Sequence, residues 1–295
     1  MAARATRTLV RPIGLIFIGS LGNQVSAVLA ASLFVVASTV SVSTLRFLLG
    51  AIILLVLFRP NLREMSKVQW KQAFIFGASI ALMNQFLYAA IARIPLGAAI
   101  TIDFLGPCCV TFFGIRQWWI RLWALVAFAG VALIAGPSSG LDPLGVAFAL
   151  CGAAFCALYT IFAEKVGKSS GGMGELAISI AIAALLTLPF SVRDAVKLDA
   201  HSWMLLTLAG FVGVVIPYTA DTLAARVTSA QIVGTLFAIE PVLGTILGVV
   251  FRGDVLTVHL VLGILCVTVA GVVIAWFGAS PPPPVQQAPR RWPKQ

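Results

Sequence analysis

Runs of about twenty apolar residues follow one another along almost the whole of this chain, separated only by short connections. An α-helix rises ~1.5 Å per residue, so a run of ~20 matches the ~30 Å hydrocarbon core of a bilayer. Ten such runs can be laid out, at residues 12–28, 39–58, 72–91, 96–115, 119–135, 143–163, 174–190, 203–223, 229–250 and 256–277. Water offers them no stable arrangement: 60% of the residues are hydrophobic and only 10% are charged, against ~25% charged in a typical soluble domain. The pattern predicts an all-α integral membrane protein with ten transmembrane helices and no separate soluble domain.

A net charge of +10 would suit a nucleic-acid partner, but the placement of the charges excludes one. With a cytoplasmic N-terminus, 15 of the 20 basic residues fall on the inner side: Arg4, Arg7, Arg11, Arg59, Arg63, Lys67, Lys71, Arg116, Arg121, Lys165, Lys168, Arg226, Arg290, Arg291 and Lys294. Only Arg93, Arg193, Lys197 and Arg252 fall outside, and Arg46 lies within a span. This bias is the positive-inside rule. It predicts a multi-pass protein of the inner (plasma) membrane, with both termini cytoplasmic and the lipid bilayer as its partner. The basic start, apolar run and Val28-Leu29-Ala30 imitate a signal peptide. Asn23 and Gln24 interrupt that run, however, and its removal would leave an odd number of spans. Residues 1–11 read as a cytoplasmic tail, and the Pro-rich basic segment 278–295 as a disordered one.

Little here supports catalysis. The five cysteines all fall in proposed spans with no C-x-x-C pair, far in sequence from His201 and His259, and read as buried free thiols rather than as disulfides or metal ligands. Gly136-Pro-Ser-Ser-Gly140 matches a hydrolase elbow but follows a membrane helix rather than a strand. Gly167-Lys-Ser-Ser170 resembles a phosphate loop, but Phe162 stands where its first glycine belongs. No cofactor and no metal are implied, and an embedded enzyme is the remote alternative.

Residues 92–107, "ARIPLGAAITIDFLGP", and 225–241, "ARVTSAQIVGTLFAIEP", both open Ala-Arg-aliphatic, pass through small residues, and set an acid near a proline. The offset from Ala92 to Ala225 also carries the second apolar run onto the seventh. Residues 12–136 and 143–277 then form two halves of five spans each. Five is odd, so the second half enters the membrane upside down, as in the inverted repeats of many secondary transporters.

Polar residues inside spans are costly, by about 2.5–3.5 kcal/mol for a charge at the bilayer centre on insertion scales. The candidates are Gln24, Arg46, Asn84, Tyr88 and Asp103 in the first half, and Tyr159, Tyr218, Asp221 and Glu240 in the second. Structural roles compete for several. Gln24 and Asn84 could join helices, Tyr159 and Tyr218 could anchor at the interface, Asp221 could pair with Arg226, and Arg46 could neutralise Asp103 or Glu240. One deep arginine cannot pair with both acids. An unpaired one could exchange protons near neutral pH, so Asp103, Glu240 and Asp221 are proton-coupling candidates. Pro107 should free the carbonyl of Asp103, and Pro241 that of Phe237. Gly234, Ala238, Pro241, Thr245 and Gly248 make a stripe for close helix approach.

Residues 44–60, 83–107, 216–227 and 237–250, in this order and spacing, resemble the EamA branch of the drug/metabolite transporter superfamily, over nearly all of residues 13–277. Among its members the amino-acid exporters are most similar. Gln24, Arg46, Asn84, Tyr88, Pro107, Tyr159, Tyr218, Glu240 and Pro241 match their pattern in type. Asp103 and Asp221 stand where it has glutamate, Asn23 replaces an apolar residue, and Arg252-Gly253-Asp254 replaces a Gly-Glu. The resemblance implies two inverted five-helix EamA repeats and export of small amino acids of the threonine or homoserine kind. On that expectation Gln24, Arg46, Asn84, Tyr88, Asp103, Tyr159, Tyr218 and Glu240 form the substrate site, with proton exchange at an acid. Export or facilitated passage of other metabolites or drugs is the alternative.

Overall fold

The computed structural model describes residues 2–114, 117–135, 140–228, 233 and 236–278. Among them there is helix and no strand. The first six helices are α1 Ala2–Ser32, α2 Thr39–Phe58, α3 Lys67–Ile91, α4 Leu96–Asp103, α5 Leu105–Gly114 and α6 Trp118–Ala135. Then come α7 Pro143–Lys168, α8 Gly172–Thr187, α9 Val192–Ala195, α10 Ala200–Gly210, α11 Ile216–Val227, α12 Glu240–Leu247 and α13 Val258–Gly278. Among the described residues, seven helical segments are long and apolar enough to cross a membrane, while Arg121–Ile134 and Val258–Val273 are shorter apolar helices. Helix α1 starts within the segment expected to be a tail. Residues 279–295, most of the 136–140 motif, and Gly234 lie outside the described residues.

Local chemistry sets several of the boundaries. Ser38 caps α2 by accepting from the Ser41 N–H, and Arg59 closes it in the left-handed region. Ser66 and Gln69 form a reciprocal capping box on α3, and Asp142 followed by Pro143 starts α7. The serine and aspartate caps satisfy backbone donors that a helix N-terminus leaves unpaired, and the Arg59 N–H serves the Leu55 carbonyl at the C-terminus of α2. The Gly167–Ser170 segment is the C-terminal end of α7 and the turn after it, where Ser169 donates to Glu175 at 2.5 Å.

Helical runs are interrupted near three prolines, each differently. Residues 96–114 are interrupted at Phe104, between α4 and α5, one turn before Pro107. Residues 200–227 pass through a π-helical turn, Phe211–Val215, just before Pro217. Before α12 there is a 3-10 turn at Phe237–Ile239, and there the Glu240 N–H bonds the Phe237 carbonyl. That carbonyl is therefore not freed by Pro241 as expected, because the tighter turn finds it another donor.

Close helix crossings use bare backbone. A Cβ on Gly130 would sit 2.8 Å from Cys266 Cβ, joining α6 to α13. Gly97 of α4 meets Thr245 of α12, and Gly271 of α13 meets Ala238, as the small-residue stripe predicts. All five cysteines are free; Cys108 and Cys156 are buried, but Cys151 is exposed, against the expectation that all five are buried. Its side chain lies on the outward flank of α7.

Candidate functional site

A narrow cavity of about 40 Å³ lies where α1, α3, α4, α7, α11 and α12 converge. Its walls include Gln24, Asn84, Tyr88, Asp103, Tyr159, Tyr218, Asp221 and Glu240. Eight of the nine candidate side chains thus meet at one place, although they come from distant parts of the chain. The ninth, Arg46, stands one layer behind.

Arg46 is wholly buried. Its Nη1 donates to Ser26 Oγ at 2.9 Å and its Nη2 to Asn84 Oδ1 at 2.7 Å. The guanidinium lies 4.8 Å from the ring centre of Tyr88 and 5.0 Å from that of Phe47. No carboxylate pairs with it in the described structure. The buried ion pair with Asp103 or Glu240 is replaced by neutral acceptors and π-faces, which spread the charge without cancelling it. Ser26 in turn donates to the Ala209 carbonyl at 2.8 Å. It has room because Gly213, in the π turn, has no Cβ.

Asn84 passes the arrangement on to the cavity wall. Its amide nitrogen donates to Tyr218 Oη at 2.8 Å and to its own helix at the Ile80 carbonyl, 3.1 Å away. The rings of Tyr218 and Tyr159 meet edge to face at 5.7 Å. Tyr159 donates its hydroxyl to Asp221 Oδ2 at 2.6 Å. Asp221 is therefore held by a phenol at the cavity and not by Arg226, which is exposed. Both tyrosines are buried, so they are not interfacial anchors.

The other two acids are held by different means. Ser20 of α1 donates to Glu240 Oε1 at 3.1 Å. Asp103 presses one oxygen against α7, where a Cβ on Gly152 would lie 2.7 Å from its Oδ1. That oxygen is buried without a hydrogen-bond partner, as is Oδ1 of Asp221. Buried acceptors left open in this way are costly and ready to accept from a donor that enters.

Several of these residues escaped the sequence analysis. Ser20, Asn23, Gln24 and Ala27 are spaced i, i+3, i+4, i+7 and so share one face of α1. That periodicity was the available signal for Ser20. Gly152, Cys156 and Tyr159 similarly share a face of α7. Ser26 and Gly152 carry no signal of their own, since each matters only through a partner far along the chain.

A helical bundle with several membrane-length apolar helices and a small polar cavity at its core is built as a multi-pass membrane transporter, not as an enzyme. Comparison with known proteins agrees. The model of the EamA-like transporter family matches residues 143–276. The threonine/homoserine exporter RhtA of Salmonella typhimurium (strain SL1344) is 30% identical over 275 residues, covering 91% of each chain. RhtA of Escherichia coli (strain K12) is 30% identical over 252 residues, covering 83% of this chain and 85% of its own. The chain belongs to the EamA-like transporter family. A crystal structure at 15% identity superposes with a TM-score of 0.63 over 93% of this chain and 98% of its own, which shows a shared fold.

Proposed function

We propose that this protein exports small amino acids of the threonine and homoserine kind across the plasma membrane, in exchange for protons. The observation that carries this is the convergence of eight predicted polar side chains on one cavity, with an uncancelled guanidinium behind it. A zwitterion needs acceptors for its ammonium group and donors for its carboxylate. Asp103, Asp221 and Glu240 supply the acceptors. The hydroxyls of Tyr88 and Tyr218 supply the donors, in the field of Arg46, while Asn84 spends its amide on Tyr218, Ile80 and Arg46 and holds that wall in place. Gln24 and Asn23 are placed for a side-chain hydroxyl. The similarity to threonine/homoserine exporters supports this substrate class.

Ten spans in two inverted repeats form the accompanying architecture. The helix contacts support it. A two-fold axis relating the halves would exchange spans one and six, two and seven, three and eight, four and nine, and five and ten. Spans near such an axis would meet their own counterparts, as α2 meets α8, α4 meets α12 and α6 meets α13, and α3–α7 would be the counterpart of α1–α11. All of these pairs are in contact. In this scheme the N-terminus is cytoplasmic and the cavity opens alternately to the two sides.

A second reading has its own support. Tyr88, Tyr159, Tyr218 and Phe237 give the cavity four aromatic walls, which would suit an aromatic metabolite or drug. Proteoliposomes loaded with labelled threonine, homoserine or phenylalanine, with and without a pH gradient, separate the two. Threonine or homoserine flux that rises with the gradient is the expected result. Preference for phenylalanine would favour the second reading, and indifference to the gradient would make the protein a facilitator.

A further inference from the structure

The turn after α12 grips the corner between α3 and α4 at both of its helix ends. Arg252 Nη2 donates to the carbonyl of Ile91, the last residue of α3, at 3.0 Å. Two residues on, Asp254 Oδ2 accepts from the N–H of Leu96, the first residue of α4, at 2.8 Å. Helix ends leave such backbone groups without partners. A cation at a C-terminus and an anion at an N-terminus also have the signs that the helix dipoles favour. Gly253 separates the two side chains at φ +68°, in the left-handed region where glycine is at ease. The Asp254 N–H returns to the Gly248 carbonyl at 3.1 Å. Gly248 must be bare, because a Cβ there would lie 2.6 Å from Asp254 Oδ2.

The grip has a direct line to the cavity. Below it Gly97 packs on Thr245, so α4 and α12 lie against each other without a gap. The opposite ends of these two helices bear the acids: Asp103 ends α4 and Glu240 begins α12. Beyond the acids come the breaks at Phe104 and at Phe237–Ile239. Each eight-residue helix is therefore pinned at one end and interrupted at the other. Neither Arg252 nor Asp254 lines the cavity.

We propose that Arg252-Gly253-Asp254 is a clasp that keeps the cavity closed toward the face where α3 ends and α4 begins, and that it lets go of this corner when the protein opens there. Arg252 and Asp254 are positioning residues: they set the equilibrium between closed and open without touching substrate. This rests on the transporter function proposed above. Arg93 and Asp142 hold the same corner to α7 at 3.0 Å, but that pair is 44% and 35% exposed. Exposed pairs of this kind contribute little, so it serves as the control.

The native Cys156, on the cavity wall, reports opening without any substrate. In a chain with Cys108, Cys109, Cys151 and Cys266 replaced by alanine, its labelling by a small membrane-impermeant thiosulfonate is followed in vesicles of both orientations. Arg252→Ala with Asp254→Ala should raise the rate from the α3–α4 face about tenfold or more, as expected for losing two charge-assisted hydrogen bonds. The rate from the other face should fall or stay level. Asp254→Glu should restore slow labelling, and Arg93→Gln should change it less than about twofold. If the double variant does not fold, Asp254→Ser gives the same ordering with a smaller increment. Unchanged labelling in a folded variant, or an equal rise from both faces, overturns the clasp. Because labelling needs no transport, the clasp can fail while the export function stands, and the reverse.

Discussion

The acid of the fourth span and the acid of the ninth look interchangeable in sequence, since each lies near a proline in the corresponding part of its half. In three dimensions they are held by different means. Asp103 fills the space that Gly152, with no side chain, leaves on α7, and the Cys156 thiol is its hydrogen-bonding neighbour there. Glu240 is held by the hydroxyl of Ser20. Their prolines differ too. Pro107 stands four residues after its acid, so the carbonyl one turn back is that of Asp103 itself. Pro241 follows Glu240 directly, and a 3-10 turn reclaims the carbonyl it would have released. The two acids thus share a sequence setting but not the contacts that hold them, and different duties are expected of them.

The largest effects should come from removing the charges. Asp103→Asn and Glu240→Gln should each lower gradient-driven export by about ten- to a hundredfold, the scale of a lost charged hydrogen bond. Exchange of labelled for unlabelled substrate without a gradient sharpens the comparison: the acid whose neutral variant still exchanges is the one that carries the proton. If both variants behave alike, the asymmetry drawn above has no functional meaning. The supports should matter less. Gly152→Ala puts a methyl group against Asp103 Oδ1 and should cost about 1–3 kcal/mol by melting, as overpacking does. Ser20→Ala should lower flux only about two- to tenfold, the worth of one ordinary hydrogen bond, and Ser20→Thr should recover it.

The smallest effect lies outside the membrane and separates these buried acids from a surface one. Asp194 accepts from the Ser38 N–H at 3.0 Å and from the hydroxyls of Ser38 and Ser41 at 2.7 Å each, tying the α9 loop to the start of α2. The hydrogen bonds from Ser41 and Ser38 lower its pKa from 3.8 to about 2. With the folded value below the unfolded one, its contribution to stability is complete above about pH 4 and is lost as the pH falls through about 2. Asp194→Ala should therefore melt slightly lower than the parent at pH 6, and the two curves should merge near pH 2.

The sequence exposes helices better than it exposes their interruptions. The run 39–58 coincides with α2 because a capping serine and an arginine in the left-handed region bound it at its two ends. The π turn at Phe211–Val215 left no trace in hydropathy, since the residues around it are as apolar as any. Polar side chains within spans betrayed the cavity, because burial of such groups demands a reason. Their partners did not show, because pairing is set by the fold: Ser20 and Glu240 are 220 residues apart. Arg46 was legible as a deep charge, but its attachment to Asn84 and Ser26 instead of an acid was not.

A chamber of about 40 Å³ has space for a water or two, far less than any amino acid needs. Its passenger must wedge the walls apart, and apparent affinity falls by the fraction of time they stand apart unaided. The expected outcome is flux that keeps rising with solute at concentrations where a preformed site would already be full, in the manner of an overflow valve. The half-saturating concentration in a flux measurement reads that threshold.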